Sequence, residues 1–387
     1  MCKVANIVFN SFENDSRVIK ESQSLSKAGF DVTVIAHGAK NLAKYEQKDG
    51  FKVVRFAKLD RQRVKSNLKK LLVYILWLQK VIIYAKDFEI LHCNDLNTLP
   101  VAAVIKKFFN RDIKVLYDAH EYETETYALK GLRKIITKWA ERFLIRYADR
   151  VITVSESIAN EYVKLYGIQK PALVLNTPYL QEVTKNDNFR KKFGIEEQRK
   201  IYLYQGALTP NRGIELLIKT FQILEEEKGN LSPVVVFMGY GDLKTLIEQA
   251  SRASRAIYLH EAVAPERILE YTSSADFGIS MIEDSCLSYR YALPNKIFEY
   301  MMAGIPVIVS NLPEMRAIIE QYGVGVVAKE QSVASLKWAI EESLKLDTNK
   351  LMKNLERVKK HYNWLEQERV LLDIYSQLQD KKGLSYG

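Results

Sequence analysis

The stretch LPNKIFEYMMAGIPVIVS, residues 293–310, contains the pattern that decides the fold. Pro294 opens a helical pattern of apolar residues that includes Glu299. The pattern breaks at Gly304 and is followed by the apolar run 307–309. The order loop, helix, tight turn and buried strand is typical of α/β proteins.

The start of this predicted helix has the features of a phosphate site. Pro294 suits the first helical position because it has no N–H group to leave unpaired. We therefore expect Leu293, Pro294, Asn295 and Lys296 to surround free backbone N–H groups at the positive end of the helix dipole, which favour phosphate. Glu299, one turn further, can accept hydrogen bonds from the paired hydroxyls of a ribose. The pattern predicts a nucleotide site. The alternative is an ordinary helix of an α/β protein, with Pro and Gly at its ends and Glu299 exposed to solvent.

The same stretch resembles the signature of the family 4 glycosyltransferases, which are retaining enzymes of the GT-B fold. In that family two glutamates separated by seven residues mark the nucleotide-sugar site. Glu299 matches the second glutamate, which implies contact with the ribose hydroxyls, whereas Tyr291 stands where the first is expected. A branch of the family with a Pro-Asn-Lys element also lacks the first glutamate, and this chain resembles that branch.

Composition indicates a globular protein of two domains. The chain has 387 residues, of which 47% are hydrophobic and 27% charged, enough for two separate cores. Cys2, Cys93 and Cys286 lie far apart, without metal or redox spacing, as expected of reduced cytoplasmic thiols. The first residues read as a strand rather than a signal peptide. The longest apolar region, residues 71–84, is shorter than the roughly 20 residues that span a membrane, so we expect a soluble or peripheral protein.

The positive charge is concentrated in the first half. Residues 1–180 contain 30 Lys and Arg against 19 Asp and Glu, a net charge of +11, and the remainder contains 27 against 28, a net charge of −1. Such a field favours phosphate-rich or anionic-lipid partners. Nucleic acid is the competing partner, but the sequence has no zinc spacing, RNA-binding aromatic signature or helix-turn-helix pattern, and we expect none to bind.

Two basic segments suggest where such a partner docks. Residues 55–86 hold nine Lys and Arg and one acid, Asp60, among apolar residues at helical spacing. Residues 130–150 are predicted to form one long helix with a stripe of basic residues every four positions and with Ile135, Trp139, Phe143 and Leu144 on another face. Either segment can be an interfacial helix on an anionic membrane or a core helix with a solvated basic side; both interpretations stay open.

Polar groups at predicted strand ends define a second candidate site. VLYDAHE, residues 115–121, is a strand that runs into three polar side chains, and ligands of open α/β sheets bind at carboxyl ends of strands. The family resemblance implies that His120 contacts the donor sugar or the acceptor. Asp118 and Glu121 are expected to orient it or to bind the acceptor.

Two further acceptor-site candidates follow other strands. Arg17 lies beyond the first strand, where Asn10 and Ser11 occupy positions at which the family often has glycines. Asp95 ends another strand and, by the resemblance, belongs to the wall of the cleft. His92 and Asp95 alone lack the third ligand that a metal site needs.

The second half supplies the other donor-site candidates. IYLYQGALTPNRG, residues 201–213, reads as strand, glycine turn and loop before a helix. Gly206 lies in the turn, and Arg212 precedes the helix, where a cation can neutralise a diphosphate. The family usually has two cations in this loop; Arg212 matches the second, and we hypothesise that Lys296 replaces the first. Val263 is a candidate contact to the nucleobase. No Gly-x-Gly-x-x-Gly follows the first strand, which argues against a dinucleotide oxidoreductase.

The resemblance covers nearly the whole chain and implies its domain organisation. Residues 1–178 are expected to form an acceptor-binding Rossmann-like domain, residues 179–362 a nucleotide-sugar-binding one facing it across a cleft, and residues 363–387 a helix that crosses back. Residues 176–200 are predicted to contain the interdomain linker, and residues 283–292 a loop that closes over the donor phosphates.

The expected reaction moves a sugar from a nucleotide-diphosphate sugar, with UDP the commonest carrier, to a hydroxyl of a lipid-linked or polysaccharide acceptor in surface glycan biosynthesis. His120, Arg212 and Glu299 are the expected catalytic residues, and neither metal nor other cofactor is expected. The enzyme is expected in the cytoplasm, peripheral on the inner face of the plasma membrane. The alternatives are a non-hydrolysing nucleotide-sugar epimerase and a non-catalytic nucleotide-sugar-binding subunit.

Overall fold

The computed structural model describes residues 1–39, 41–56 and 66–380, so part of the first basic segment lies outside the described residues. The chain forms two compact units. Unit 1 contains residues 1–176 together with the helix that continues from residue 367, and unit 2 contains residues 177–366. Each unit is a sheet of mainly parallel strands connected by helices, as the sequence predicted.

Unit 1 has an eight-stranded sheet in its described residues, with the order β3-β4-β2-β1-β5-β6-β7-β8. All neighbouring strands are parallel except β3 and β4, which form an antiparallel pair. The elements are β1 (Lys3–Ile7), α1 (Ser16–Lys27), β2 (Asp31–Ala36), β3 (Tyr45–Lys48), β4 (Phe51–Arg55), α2 (Asn67–Ala85), β5 (Ile90–Asn94), α3 (Leu99–Phe108), β6 (Lys114–Ala119), α4 (Gly131–Leu144), β7 (Arg150–Thr153), α5 (Glu156–Tyr166) and β8 (Ala172–Leu173).

The strand order determines which helices share a face of this sheet. The chain moves one way from β1 to β2 and the other way from β4 through β5 and β6 to β7. Because parallel crossovers are right-handed, α1 lies on one face and α2, α3 and α4 lie on the other. Helix α3 contacts both α2 and α4, so these three helices form one layer.

Unit 2 has a six-stranded parallel sheet in the order β11-β10-β9-β12-β13-β14. Its elements and the last helix are α6 (Asn188–Phe193), β9 (Ile201–Ala207), α7 (Ile214–Lys228), β10 (Val234–Tyr240), α8 (Lys244–Ala253), β11 (Ile257–Glu261), α9 (Ile268–Thr272), β12 (Phe277–Ser280), α10 (Leu287–Arg290), α11 (Asn295–Met302), β13 (Val307–Ser310), α12 (Pro313–Tyr322), β14 (Gly325–Ala328), α13 (Val333–Ser343), α14 (Thr348–His361) and α15 (Trp364–Asp380). The direction of progress reverses between β9 and β12, which is where such sheets bind ligands.

A glycine in β12 fixes the helix that opened the sequence analysis. A side-chain carbon added at Gly278 would lie 2.2 Å from the ring of Tyr300. The Tyr300 hydroxyl donates a hydrogen bond to the Ile279 carbonyl (3.3 Å) and accepts one from the Gln205 backbone N–H (3.0 Å). Helix α11 is thus locked across β12 and β9, with its start at the carboxyl edge of the sheet.

Three sequence predictions about elements are corrected. The predicted helix 130–150 ends at Leu144, a 3₁₀ turn follows, and Arg150 already lies on β7. The predicted linker contains α6, whose buried Phe189 and Asp276-bound Arg190 belong to unit 2. Residues 283–292 contain the short helix α10.

Helix ends agree with the sequence more closely. Ser155 caps α5, as predicted, by accepting a hydrogen bond from the Ile158 N–H. Helix α11 begins at Asn295, one residue after the expected position, because Pro294 keeps an extended conformation and is the N-cap. A shift of one residue leaves the predicted order of loop, helix, turn and strand intact.

Helix α15 begins in unit 2 and continues in unit 1. The Gln367 side-chain oxygen accepts a hydrogen bond from the Leu175 N–H (2.8 Å), and the Tyr375 hydroxyl lies 3.0 Å from His92 Nδ1. Among the described residues, no helix combines the length and the apolar character that crossing a bilayer requires.

Candidate functional site

Lys296 and Gly206 are neighbours at the carboxyl edge of the unit 2 sheet. A side-chain carbon added at Gly206 would lie 3.7 Å from Lys296 Nζ. The same ammonium lies 3.7 Å from the centroid of the Tyr204 ring, a cation–π contact. Lys296 therefore reaches the turn that the sequence analysis assigned to a diphosphate.

Arg212 brings a second cation to this turn. Its guanidinium lies over the Tyr289 ring, 4.8 Å from the centroid, and its Nε is buried without a hydrogen-bond partner among the described residues. The next residue, Gly213, has no room for a side chain because the Met281 carbonyl oxygen would lie 2.3 Å from it. The loop that carries Arg212 is thus held tightly against the chain following β12.

The two cations repel each other. Burial and the nearby Arg212 lower the pKa of Lys296 to about 7, although Glu299 acts in the opposite direction. A pair of like charges at the start of a helix is the arrangement that an anion stabilises.

Glu299 is oriented by a residue that the sequence analysis missed. Gln205 donates a hydrogen bond from Nε2 to Glu299 Oε2 (2.5 Å) and accepts one from the Thr272 hydroxyl (2.8 Å). Gln205 is buried at the end of β9. A polar residue immediately before the predicted glycine turn was the available signal.

The candidate base site lies beyond the edge strand β11. Val263 follows this strand and is half-buried. The nearby His260 packs against Phe189 and Tyr271, and its Nδ1 lies 2.7 Å from the Glu261 carbonyl. Burial lowers the pKa of His260, so this imidazole is a neutral member of an aromatic cluster.

In unit 1 the structure brings two predicted residues, Asp95 and Asp118, and the unpredicted Asn94 to His120. Its Nε2 lies 3.1 Å from Asp118 Oδ2 and 3.0 Å from Asn94 Oδ1, and its Nδ1 lies 3.4 Å from Asp95 Oδ1. Burial disfavours the charged ring, but Asp95 and Asp118 outweigh it and raise the pKa of His120 to about 10. His120 is therefore a cation at neutral pH and is not available as a general base.

Arg17 and Asp118 lie beneath His120 and are hidden from solvent. Arg17 donates two hydrogen bonds of 2.8 Å to the Asp118 carboxylate and one of 2.6 Å to the Val174 carbonyl. Burial alone would raise the pKa of Asp118, but Arg17 and then His120 hold it well below its usual range. For Arg17 this geometry differs from the expected acceptor contact, whereas Asp118 lies where it can orient His120, which is one of the two roles expected of it. Glu121, by contrast, is exposed.

The sequence analysis also missed Glu21 and the full environment of His92. Possible ligand atoms of Glu21, His92 and Asp118 lie within 4.8 Å of one another, and all three residues are buried. Arg17 Nε lies 3.0 Å from Glu21 and 2.8 Å from Asp118. Because the guanidinium already supplies the positive charge between the carboxylates, this group does not fit a metal ion.

Two family models cover most of the chain. The model described as Glycosyltransferase Family 4 matches residues 16–177, and the model described as Glycosyl transferases group 1 matches residues 185–362. The chain belongs to the family 4 glycosyltransferases. The transferase class that the resemblance implied is thereby confirmed.

Relatives of this glycosyltransferase are distant in sequence. An uncharacterised glycosyltransferase of Methanocaldococcus jannaschii is 25% identical over 347 residues, which cover 84% of this chain and 83% of that protein. The chitobiosyldiphosphodolichol beta-mannosyltransferase of Candida albicans is 22% identical over 258 residues, which cover 60% of this chain and 55% of that protein.

Solved structures show the same fold at low identity. Sucrose-phosphate synthase from Thermosynechococcus elongatus has a TM-score of 0.81 at 17% identity, covering 98% of this chain and 100% of that one. Anabaena HepE in complex with UDP-glucose has a TM-score of 0.73 at 14% identity, covering 97% of this chain and 100% of that one. The glycosyltransferase therefore has the GT-B fold that the sequence predicted.

Proposed function

We propose that the protein transfers a sugar from a nucleotide-diphosphate sugar, with UDP as the carrier, to a hydroxyl of a lipid-linked or polysaccharide acceptor in surface glycan biosynthesis. One observation supports the donor class above all others. Arg212 and Lys296 lie close enough to repel each other at the start of α11, and Glu299 lies one turn along the same helix.

In this proposal the diphosphate lies against the two cations and the backbone N–H groups at the start of α11. Leu293, Pro294 and Asn295 form that start, and Gly206 leaves room for a phosphate oxygen. Fixed positive charge at this point stabilises the departing diphosphate, where negative charge develops in the transition state. Glu299, oriented by Gln205, accepts hydrogen bonds from the ribose hydroxyls, and Val263 contacts the base.

His120 is proposed to act by its charge. An imidazolium held by two carboxylates can steer a sugar hydroxyl or an acceptor but cannot remove its proton. Arg17 and Asp118 position it from below, and Asp95 and the exposed Glu121 complete the acceptor site. Attack from the face that the diphosphate leaves would retain the anomeric configuration without a covalent nucleophile.

Charge and the relatives support the proposed acceptor class and location. The Candida relative is named for mannosyl transfer to chitobiosyldiphosphodolichol, and HepE was solved with UDP-glucose. The net charge of +11 in residues 1–180 suits a phosphate-bearing lipid carrier on an anionic membrane. We place the enzyme in the cytoplasm on the inner face of the plasma membrane, with no metal or other cofactor in the reaction.

A panel of UDP-, GDP- and ADP-sugars tests this proposal. With an acceptor lipid extract, one donor should release its nucleotide and yield a glycosylated lipid, and NMR of the new linkage should show the donor's anomeric configuration. An epimerised sugar without an acceptor product would indicate the epimerase instead. Saturable donor binding without turnover on any acceptor would indicate a non-catalytic subunit, and an inverted linkage would refute retention.

A further inference from the structure

Helix α4 has its apolar side turned away from the protein. Among its residues, all of which the structure describes, Glu141 is the buried one. Five of its six large apolar side chains are between 53% and 71% exposed: Leu132, Ile135, Ile136, Trp139 and Phe143. A surface helix normally buries such side chains against the core, so this face is available to a partner.

Polar contacts fix α4 in this orientation. The Glu141 carboxylate accepts hydrogen bonds from the hydroxyls of Tyr117 (2.8 Å), Tyr162 (2.7 Å) and Tyr166 (2.6 Å). These three tyrosines come from β6 and α5, so they hold the helix to both the sheet and its neighbour. Rotating α4 to bury its apolar face would break all three hydrogen bonds and leave the buried hydroxyls of Tyr117 and Tyr162 without this acceptor.

Two lysines strengthen the same orientation. Lys134 and Lys138, one turn apart on α4, each lie 2.5 Å from an oxygen of the Glu125 carboxylate. Two of the basic residues that the sequence analysis placed on a solvated stripe are thus engaged with unit 1, and the apolar side chains lie on the solvent side.

Helix α2 exposes a second set of apolar side chains. Leu68, Leu71, Leu72, Ile75 and Leu76 are between 41% and 67% exposed, whereas its buried residues, Trp77, Val81 and Ala85, lie in its second half. We call these five residues, together with the five exposed apolar residues of α4, the docking face.

Both halves of the docking face begin at one edge of the sheet: the α2 residues lie in the first half of that helix, and the α4 residues run from its first turn to Phe143 in its last. Helices α2 and α4 each follow a strand and lead to the amino end of the next, so their first turns lie at the carboxyl edge. For α2 the contacts confirm this: Trp77 Nε1 donates to the carbonyl of Ala36, the last residue of β2 (3.2 Å), and the Tyr74 hydroxyl donates to the Asn97 carbonyl (2.7 Å). His120 follows β6 at the same edge.

The charges of the two helices favour an anionic partner. Within 67–85 and 131–144 the sequence has one acid, the buried Glu141. Lys69, Arg133 and Arg142 are exposed beside the apolar side chains. Apolar and basic side chains without exposed acids are the composition of helices that lie in the interface of an anionic bilayer.

We propose that the docking face binds the surface of an anionic lipid bilayer, with Trp139 in the headgroup region and the carboxyl edge of the unit 1 sheet turned toward the membrane. This deepens the proposed membrane location by naming the surface that makes the contact, and that this edge then meets a lipid-linked acceptor rests on the proposed function. A second copy of the chain is the other occupant to test, because exposed apolar faces also form dimers.

Vesicle flotation tests the proposal without donor or acceptor. The full-length protein should float with vesicles of equal parts phosphatidylcholine and phosphatidylglycerol and remain unbound to phosphatidylcholine alone. Trp139→Ala should weaken binding about tenfold, because one large aromatic side chain no longer enters the interface. Leu231→Ala is the control: Leu231 is 69% exposed in unit 2, outside the docking face, and binding should not change.

Other outcomes would overturn the proposal. They are equal flotation with both vesicles, unchanged binding of the Trp139→Ala protein, or no binding to either vesicle. A dimer in analytical ultracentrifugation that Trp139→Ala dissociates would assign the face to self-association. Unchanged thermal unfolding of both variants excludes misfolding, and sugar transfer to a detergent-soluble acceptor, assayed separately, distinguishes failure of docking from failure of the proposed function.

Discussion

The two candidate sites use the same residue types in opposite ways. In unit 1, Arg17 lies against the carboxylates of Glu21 and Asp118, and His120 lies between Asp118 and Asp95, so the charges compensate one another within the protein. In unit 2, Arg212 and Lys296 rest on aromatic rings and repel each other. Compensated charges hold a structure in place, whereas cations that repel one another are stabilised by an incoming anion.

The largest effect should come from removing the carboxylate that compensates the charge of the buried Arg17 in unit 1. Asp118→Asn leaves Arg17 buried with one weakened partner, and we expect the free energy of unfolding to fall by about 3–5 kcal/mol. Urea denaturation measures this loss. Asp31→Asn is the control, since Asp31 pairs with Lys52 at the surface and its loss should change stability by less than about 1 kcal/mol. Equal effects of the two substitutions would mean that the buried network does not stabilise unit 1.

Arg212→Ala should lower activity and leave stability unchanged, the reverse of the effect expected in unit 1. The developing charge of the diphosphate loses a fixed cation, so kcat/KM for sugar transfer should fall by about 100-fold or more, while the unfolding midpoint changes little. Steady-state kinetics and urea denaturation on the same preparations give both values. Arg255→Ala, an exposed arginine before the amino end of β11, should leave both unchanged. An Arg212→Ala enzyme of wild-type rate would refute the role of this cation.

Lys296 should make donor binding depend on pH. Because its pKa is lowered to about 7, the ammonium is charged below that pH and loses its charge above it. We expect UDP affinity, measured by calorimetry, to fall between about pH 6 and about pH 8.5, and Lys296→Gln to bind about tenfold more weakly at the lower pH with little pH dependence.

Two further variants separate charge from shape at this position. Lys296→Arg keeps its charge throughout this range, so its affinity should not fall with pH. Lys337→Gln removes a lysine that pairs with Glu227 on α7 and should behave as wild type. A wild-type affinity that is flat with pH and insensitive to Lys296→Gln would exclude Lys296 from the diphosphate site.

The smallest effect concerns Glu21. Burial raises its pKa from 4.5 to about 7 in the folded protein, although Arg17 opposes the shift. Between these two pH values the folded state therefore binds more protons than the unfolded state. The free energy of unfolding falls as pH rises from 4.5 to 7. Asp118 has a lowered pKa; its contribution is present above its unfolded pKa and is lost only in stronger acid. In the Glu21→Gln protein, the decrease of the unfolding free energy between about pH 5 and about pH 8 should therefore be smaller by roughly 1–2 kcal/mol. An unchanged slope would show that Glu21 does not hold this proton.

The fold was predictable because it follows from local patterns. The stretch around Pro294 and Glu299 specifies loop, helix and strand through apolar spacing and turn residues, and the alternation of such units specifies parallel sheets. The sequence analysis assigned Lys296 from this stretch and Gly206 from residues 201–213 to one donor site, and the structure places them side by side; their role in donor binding stays a prediction.

The remaining features depend on contacts between distant parts of the chain. Arg17 meets Asp118 across 101 positions, and no local pattern encodes that pairing. Helix α4 stayed ambiguous for a similar reason: its apolar spacing fits a buried or an interfacial face, and the three tyrosine hydroxyls that hold Glu141 inward come from other elements. Gln205 was missed because a single polar residue at a strand end has many ordinary explanations.

A crystal structure of the protein with UDP tests the central claim most directly. We predict a diphosphate within hydrogen-bonding distance of Arg212, Lys296 and the backbone N–H groups that begin α11, with the ribose hydroxyls on Glu299. A diphosphate bound at His120, or anywhere else away from the start of α11, would contradict it.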